Sequence, residues 1–200
     1  MNNYVSAIIG LFRHDYSAEY HLRQIAGFLK ASHVTLLPHI NKILQSKLLT
    51  ARLVGKSKLF SLNLENILAK DNVLLSEIQF TTAILEKNFL LKKIYTEIFT
   101  LAPEGAVVLF GSYAKQTEDE NSDIDLLYIG ENRSEFSAAI KKLGALYGKD
   151  INVKIISLEK FESALRGKDA LVCEILKNHL LLYCPSVFVD CVWRYYSEIR

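Results

Sequence analysis

The chain has 200 residues, half of them hydrophobic and 23% charged, which suits one large or two small globular domains and argues against disorder. Its three cysteines, Cys173, Cys184 and Cys191, form no CxxC pair, which argues against a disulfide framework or a zinc knuckle. No basic leader with an apolar core is visible, and no apolar run approaches the ~20 residues of a membrane helix, so the sequence reads as cytoplasmic with no membrane partner. The formal charge of +2 hides an asymmetry. Residues 1–70 carry nine Lys or Arg against three acidic side chains, a net of +6, and the remaining 130 carry 15 basic and 19 acidic, a net of −4. A basic portion joined to a mildly acidic one suggests two domains with different partners, the first of them nucleic acid. A merely solvated charged surface is the alternative.

Apolar spacing predicts a helix over residues 3–13 (Tyr4, Ile8, Ile9, Phe12) and a second from His21 to Lys30. A third runs to about Gln45, with Ser32 as a candidate N-cap and Val34, Leu37, Ile40, Ile43 and Leu44 directed inward. Pro38 fits poorly inside that helix unless it starts later, near Thr35. Leu49–Val54 and Leu59–Leu62 are β-type runs joined by Gly55-Lys56-Ser57-Lys58, which reads as a hairpin. Three helices and a basic hairpin resemble a winged helix-turn-helix. That resemblance implies a duplex DNA partner, with His33, Thr35, Leu36 and His39 near base edges and Arg52, Lys56 and Lys58 on the wing. A dimerisation module is the competing reading of the same elements.

Residues 72–100 are apolar nearly all round, which predicts one long helix buried between domains or subunits and a homodimer contact, ended by Pro103-Glu104-Gly105. Ala106–Phe110 is then a buried strand that stops at Gly111-Ser112. Glycine lets phosphate approach the backbone, and a helix starting there offers free N–H groups beside the Ser hydroxyl. Ten residues on, Asp123-Ile124-Asp125 opens another strand. Alternation puts both carboxylates on one face and Ile124 and Leu126 in the core. Paired carboxylates repel unless a cation lies between them, and magnesium favours such oxygen ligands completed by water and phosphate. Two exposed strand aspartates without a ligand are the plainer alternative.

Gly-Ser, ten residues and Asp-x-Asp resemble the DNA polymerase β-like nucleotidyltransferase superfamily, most closely its minimal branch, over about residues 105–185. The fusion to a winged helix is similar to regulator-type nucleotidyltransferase proteins. The resemblance implies Mg2+ (or Mn2+) on Asp123 and Asp125, which would be the catalytic residues, and the phosphates of an NTP on Gly111 and Ser112. Lys115 could assist there, although a solvated helix lysine is the simpler reading. The resemblance also implies attack of an acceptor hydroxyl on the α-phosphorus, the acceptor being a protein such as a toxin, a nucleic acid or a small molecule. Members carry a third carboxylate on the next strand. Here that strand reads Asp150-Ile151-Asn152-Val153-Lys154, and the acidic position falls on Asn152 or Lys154. Asn152 could touch nucleotide or donate an oxygen to metal, but it is a poor base.

The expected fold is therefore α+β: a winged helix-turn-helix over residues 1–70, a connecting helix over 71–102, and a small mixed-sheet nucleotidyltransferase domain with flanking helices over 103–200. The expected function is Mg-dependent transfer of NMP coupled to DNA binding. The alternative is a transcription regulator whose second domain only binds nucleotide or dimerises.

Overall fold

The computed structural model describes residues 4–101, 104–131 and 134–199, in two compact units: Met1–Glu77 with Val192–Arg200, and Ile78–Cys191. The first begins with α1 (Tyr4–Gly10), β1 (Tyr20–His21), α2 (Leu22–Phe28) and α3 (His33–Gln45). A hairpin, β2 (Leu49–Val54) and β3 (Ser57–Leu62), follows and pairs with β1 into an antiparallel sheet of order β1-β3-β2. Its turn is only Gly55-Lys56, tighter than the four residues expected, because Gly55 takes φ +60° and closes the strands in two residues.

Helix α3 departs from expectation in its phase. Ser32 is its N-cap, the hydroxyl accepting from Thr35 N at 3.0 Å, so the helix does not start late to avoid Pro38. Pro38 lies inside it on the exposed side, where water can reach the carbonyl it leaves unbonded. Leu36, Ile40 and Ile43 are the buried stripe, at i, i+4, i+7. Val34 and Leu37 are 66% and 42% exposed, the reverse of the inward positions expected. These three pack in a unit core that includes Ile8, Ile9, Phe12, Ile25, Leu49 and Phe60. Within the same core Arg13 donates to Glu77 at 3.0 Å with both side chains almost fully buried, a pair whose separation would strand a charge.

The long apolar helix expected over 72–100 is two helices, α4 (Ile67–Leu85) and α5 (Phe89–Leu101). The break has a local cause. Asn88 caps α5, its Oδ1 accepting from Leu91 N at 3.0 Å. Nor are these helices buried all round, since Ile67, Leu68 and Phe89 are more than half exposed. Pro103, expected to end this segment, lies outside the described residues.

The second unit contains a four-stranded mixed sheet of order β6-β5-β4-β7, built from β4 (Ala106–Phe110), β5 (Ile124–Ile129), β6 (Ile151–Ile156) and β7 (Leu180–Tyr183). β4 is antiparallel to β5 and β7, whereas β5 and β6 are parallel. The short α6 (Gly111–Lys115) follows β4, and α7 (Ser134–Tyr147) forms the crossover between the parallel pair. α8 (Leu158–Arg166), α9 (Ala170–Lys177) and α10 (Pro185–Glu198) complete the chain. Ile124, Leu126 and Tyr128 of β5 meet Val107 and Leu109 of β4, Ile94 and Ile98 of α5, and Ile140 of α7 in one core. Among the described residues no helix is long and apolar enough to cross a membrane.

The phase of α3 gives a direct test. Leu36→Ala should lower the free energy of unfolding by about 2–5 kcal/mol, whereas Val34→Ala should stay within about 0.5 kcal/mol, both read by chemical denaturation.

Candidate nucleotide site

Every residue of β4 is buried, so the strand is fixed on both faces up to its end at Phe110. Phe110 stands opposite Asp125 in the β4–β5 register. At Gly111 the backbone turns with φ +74°, and a Cβ there would lie 2.3 Å from Asp125 Oδ2. Two independent constraints thus demand glycine: the left-handed φ, and the approach of the Asp125 carboxylate to the Cα. Ser112 lies in the single turn of α6, anchored by the buried Tyr113 and Ala114. Gln116, at φ +56°, ends it, and Thr117 N donates to Ser112 O at 3.1 Å.

The loop that follows is tied to itself. Asp119 accepts from Ser122 Oγ at 3.0 Å and from Asn121 N at 2.9 Å, and its own N–H donates to Ser122 Oγ at 2.9 Å. The Ser122 hydroxyl first, and then the Asn121 N–H, hold the Asp119 carboxyl below the ordinary carboxylate range. The contribution is therefore present above the ordinary carboxylate value and is lost as pH falls through the lowered one.

Asp123 follows this loop directly, and Asp125 is the second residue of β5. Ile124 N donates to Asp150 O at 2.9 Å, and Asp125 pairs with Asn152 in the parallel register. Asn152 Nδ2 donates at 3.3 Å both to Asp123 Oδ2 and to Asp125 Oδ1. The two carboxylates therefore converge on one point, and of the two positions left open by the sequence it is Asn152 that faces them. Lys154 lies two residues further along the same exposed side of β6. Asp150 lines a hollow of about 500 Å³ together with Asp123, Lys141, Lys149 and Asn152.

These residues fit a divalent cation by the chemistry of the donor set. Two carboxylates already share a positive dipole, and a half-turn of the Asn152 amide would offer an oxygen in its place. They fit it as two carboxylates and an amide: among the described residues no group of three His, Cys, Asp or Glu side chains could hold a metal ion. Lys115, a solvated lysine on the simpler reading, instead donates to Glu174 Oε1 at 2.7 Å. The Lys115 hydrogen bond, then its charge, then Lys154 and Lys177, hold the Glu174 carboxyl below its ordinary range. Neither Glu174 nor Lys177 is signalled by the sequence, because α9 lies some sixty residues beyond the motif it faces.

The DNA-contact candidates scatter more widely over the first unit. His33, Thr35, Lys56 and Lys58 are exposed, but Leu36 is fully buried and cannot reach a base. Thr35 Oγ1 is 2.8 Å from the Ser32 hydroxyl, within the helix cap. His39 is half-buried, its ring centroid 5.0 Å from that of Tyr4. Arg52 is exposed but donates through Nε to Glu19 Oε1 at 2.8 Å. His21, Arg23, His33 and Lys58 line a groove of about 680 Å³ between α2, α3 and the hairpin.

Residues 91–192 match the family model of the nucleotidyltransferase domain, which is half of the chain. The chain belongs to that family. The matched span contains Gly111-Ser112, the aspartate pair and Asn152. A "Putative protein adenylyltransferase" of Methanocaldococcus jannaschii is 32% identical over 99 residues, 46% of this chain. The aligned part covers 65% of that relative's length. A solved toxin-antitoxin structure with AMP-PNP aligns with 54% of this nucleotidyltransferase-domain chain and 87% of its own, at 20% identity and a TM-score of 0.37.

Because both φ and the Asp125 carboxylate exclude a side chain at residue 111, Gly111→Ala should cost more than about 1 kcal/mol. Thermal denaturation would detect it, and Gly27→Ala, where no atom lies within 4 Å of the added methyl, is the control expected to show no such loss.

Proposed function

We propose that the second unit binds a nucleoside triphosphate and transfers its nucleotidyl group to an acceptor hydroxyl. The observation that carries this reading is the convergence of Asp123 and Asp125 on one amide nitrogen, beside a glycine turn packed against Asp125. In the proposed reaction the acceptor hydroxyl gives up its proton to solvent as its oxygen bonds the α-phosphorus, and the bond from the α-phosphorus to the bridging oxygen breaks, releasing pyrophosphate. Asp123 and Asp125 would hold a divalent cation, Mg2+ or Mn2+, which when bound would neutralise charge on the phosphates. Gly111 leaves the backbone open to phosphate, and the Ser112 hydroxyl supplies a donor. Asn152 keeps the two carboxylates oriented toward each other. The name of the archaeal relative supports ATP as donor and a protein as acceptor.

One observation favours a second reading. Asn152 stands where a carboxylate would act as base, and an amide takes up no proton at neutral pH. On that reading the unit binds nucleotide without turnover and reports its state to the first unit.

We further propose that the first unit is a winged helix that binds duplex DNA. Three helices with a three-stranded sheet, the exposed Lys56 and Lys58 at the hairpin tip, and the net charge of +6 over residues 1–70 support this. The residues of α3 available to bases would be His33, Val34, Thr35 and Leu37, without Leu36. The exposed apolar residues Ile67, Leu68 and Leu75 of α4 support homodimerisation.

Labelled ATP with Mg2+ should bind the wild type and transfer label, and Asp123→Ala/Asp125→Ala should weaken binding and reduce transfer by about 100-fold or more. Equal binding by both proteins would sink the nucleotide-site assignment, while binding without transfer to any acceptor would leave the sensor reading. Duplex DNA should bind with a steep salt dependence. Lys56→Ala/Lys58→Ala should reduce the slope by about 2, and Arg52→Ala should change it less because Glu19 already holds that guanidinium. Failure to bind DNA at low salt would leave a dimerisation module.

A further inference from the structure

We propose that the hollow bounded by α4, α5 and β7 binds a small, neutral aromatic molecule whose single polar group pairs with the Thr81 hydroxyl. It lies wholly within the second unit, toward the end of the sheet away from Gly111. There β7 runs antiparallel to β4, with Leu180 opposite Leu109 and Tyr183 opposite Val107.

An orphaned oxygen carries this. Thr81 is 3% exposed, and its Oγ1 has no hydrogen-bond partner among the described residues. A helical threonine ordinarily lends its hydroxyl to the carbonyl one turn back, as Thr96 donates to Lys92 O at 2.9 Å. A hydroxyl withdrawn from water without a partner is unfavourable until something bonds it. Thr81 lines the hollow, whose volume is about 260 Å³. That is more than the ~150 Å³ that takes a benzene and less than the ~300 Å³ at which sites for drug-sized ligands begin. None of the lining side chains is charged, so a neutral guest fits and a phosphate tail would be left uncompensated. The wall is aromatic. Tyr95 and Phe99 have ring centroids 6.2 Å apart, and Phe99 meets Tyr183 edge-on at 6.0 Å. A planar guest can extend that edge-to-face packing. The half-buried Cys184, at φ +43°, lines the same hollow and places a thiol beside the guest.

Calorimetric titration of the full-length protein with phenol and with toluene, alike in size and different in the hydroxyl, tests this. Phenol is expected to bind wild type about fivefold more tightly than toluene. Thr81→Val keeps the shape and should erase that difference without lowering the melting temperature, because the hydroxyl has no bond to lose. Phe99→Ala, at a position 62% exposed, should weaken both ligands about fivefold. Saturating phenol should slow the alkylation of Cys184 by iodoacetamide and leave that of Cys173, outside the hollow, unchanged. Equal affinity of wild type for phenol and toluene overturns the assignment, as does phenol binding that leaves Cys184 as reactive as before. Absence of phenol binding overturns it too. A lowered melting temperature in Thr81→Val would show the hydroxyl already bonded and would overturn it on that ground.

Discussion

At Gly111 the backbone passes so close to the Asp125 carboxylate that a single methyl group would lie 2.3 Å from its oxygen. That approach sets the spatial relation between the turn after β4 and the aspartate pair at the head of β5. It is possible because β4 is buried along its whole length and pairs residue by residue with β5, from Ala106 opposite Ile129 to Phe110 opposite Asp125. A slip by one residue would turn Asp125 into the core and bring Ile124 to the turn. The apolar register and the polar site are thus one constraint, and the energy that specifies the site comes from residues that never touch a ligand.

The second constraint is electrostatic. Asp123 and Asp125 would repel each other across the short distance that both span to reach one nitrogen, and Asn152 relieves this with a single donor shared at 3.3 Å to each. A carboxylate at 152 would sharpen the repulsion without a cation, whereas the amide makes the cluster tolerable in its absence. The amide at 152 therefore suits the two carboxylates as they stand, each accepting from it at 3.3 Å.

The sequence carried this half of the molecule well for a physical reason: strand alternation and glycine chemistry are local. Gly111 follows from the chemistry of the turn, and the shared face of Asp123 and Asp125 and the inward Ile124 and Leu126 follow from period two. Asn152 and Lys154 share one parity, so alternation could not choose between them, and only the parallel register opposite Asp125 does. Helix α3 failed on a similar degeneracy. Val34, Leu37 and Leu44 form one apolar stripe and Leu36, Ile40 and Ile43 another, and the chain outside the helix decides which is covered. The break between α4 and α5 was within reach, since Glu86-Lys87-Asn88 interrupts the apolar run with an N-cap residue. The contact of Lys115 with Glu174 was not, because 59 residues separate them and no local pattern joins α6 to α9.

Charge then divides the second unit's site into two sectors. Asp123 and Asp125 are acidic and bridged by the neutral Asn152 amide, the next outward residue along β6 is Lys154, and Lys115 of α6 bonds Glu174 of α9. Here Asn152 partners the acids and Glu174 partners Lys115. A nucleotide with a divalent cation has the complementary pattern, positive at the metal and negative along the phosphates.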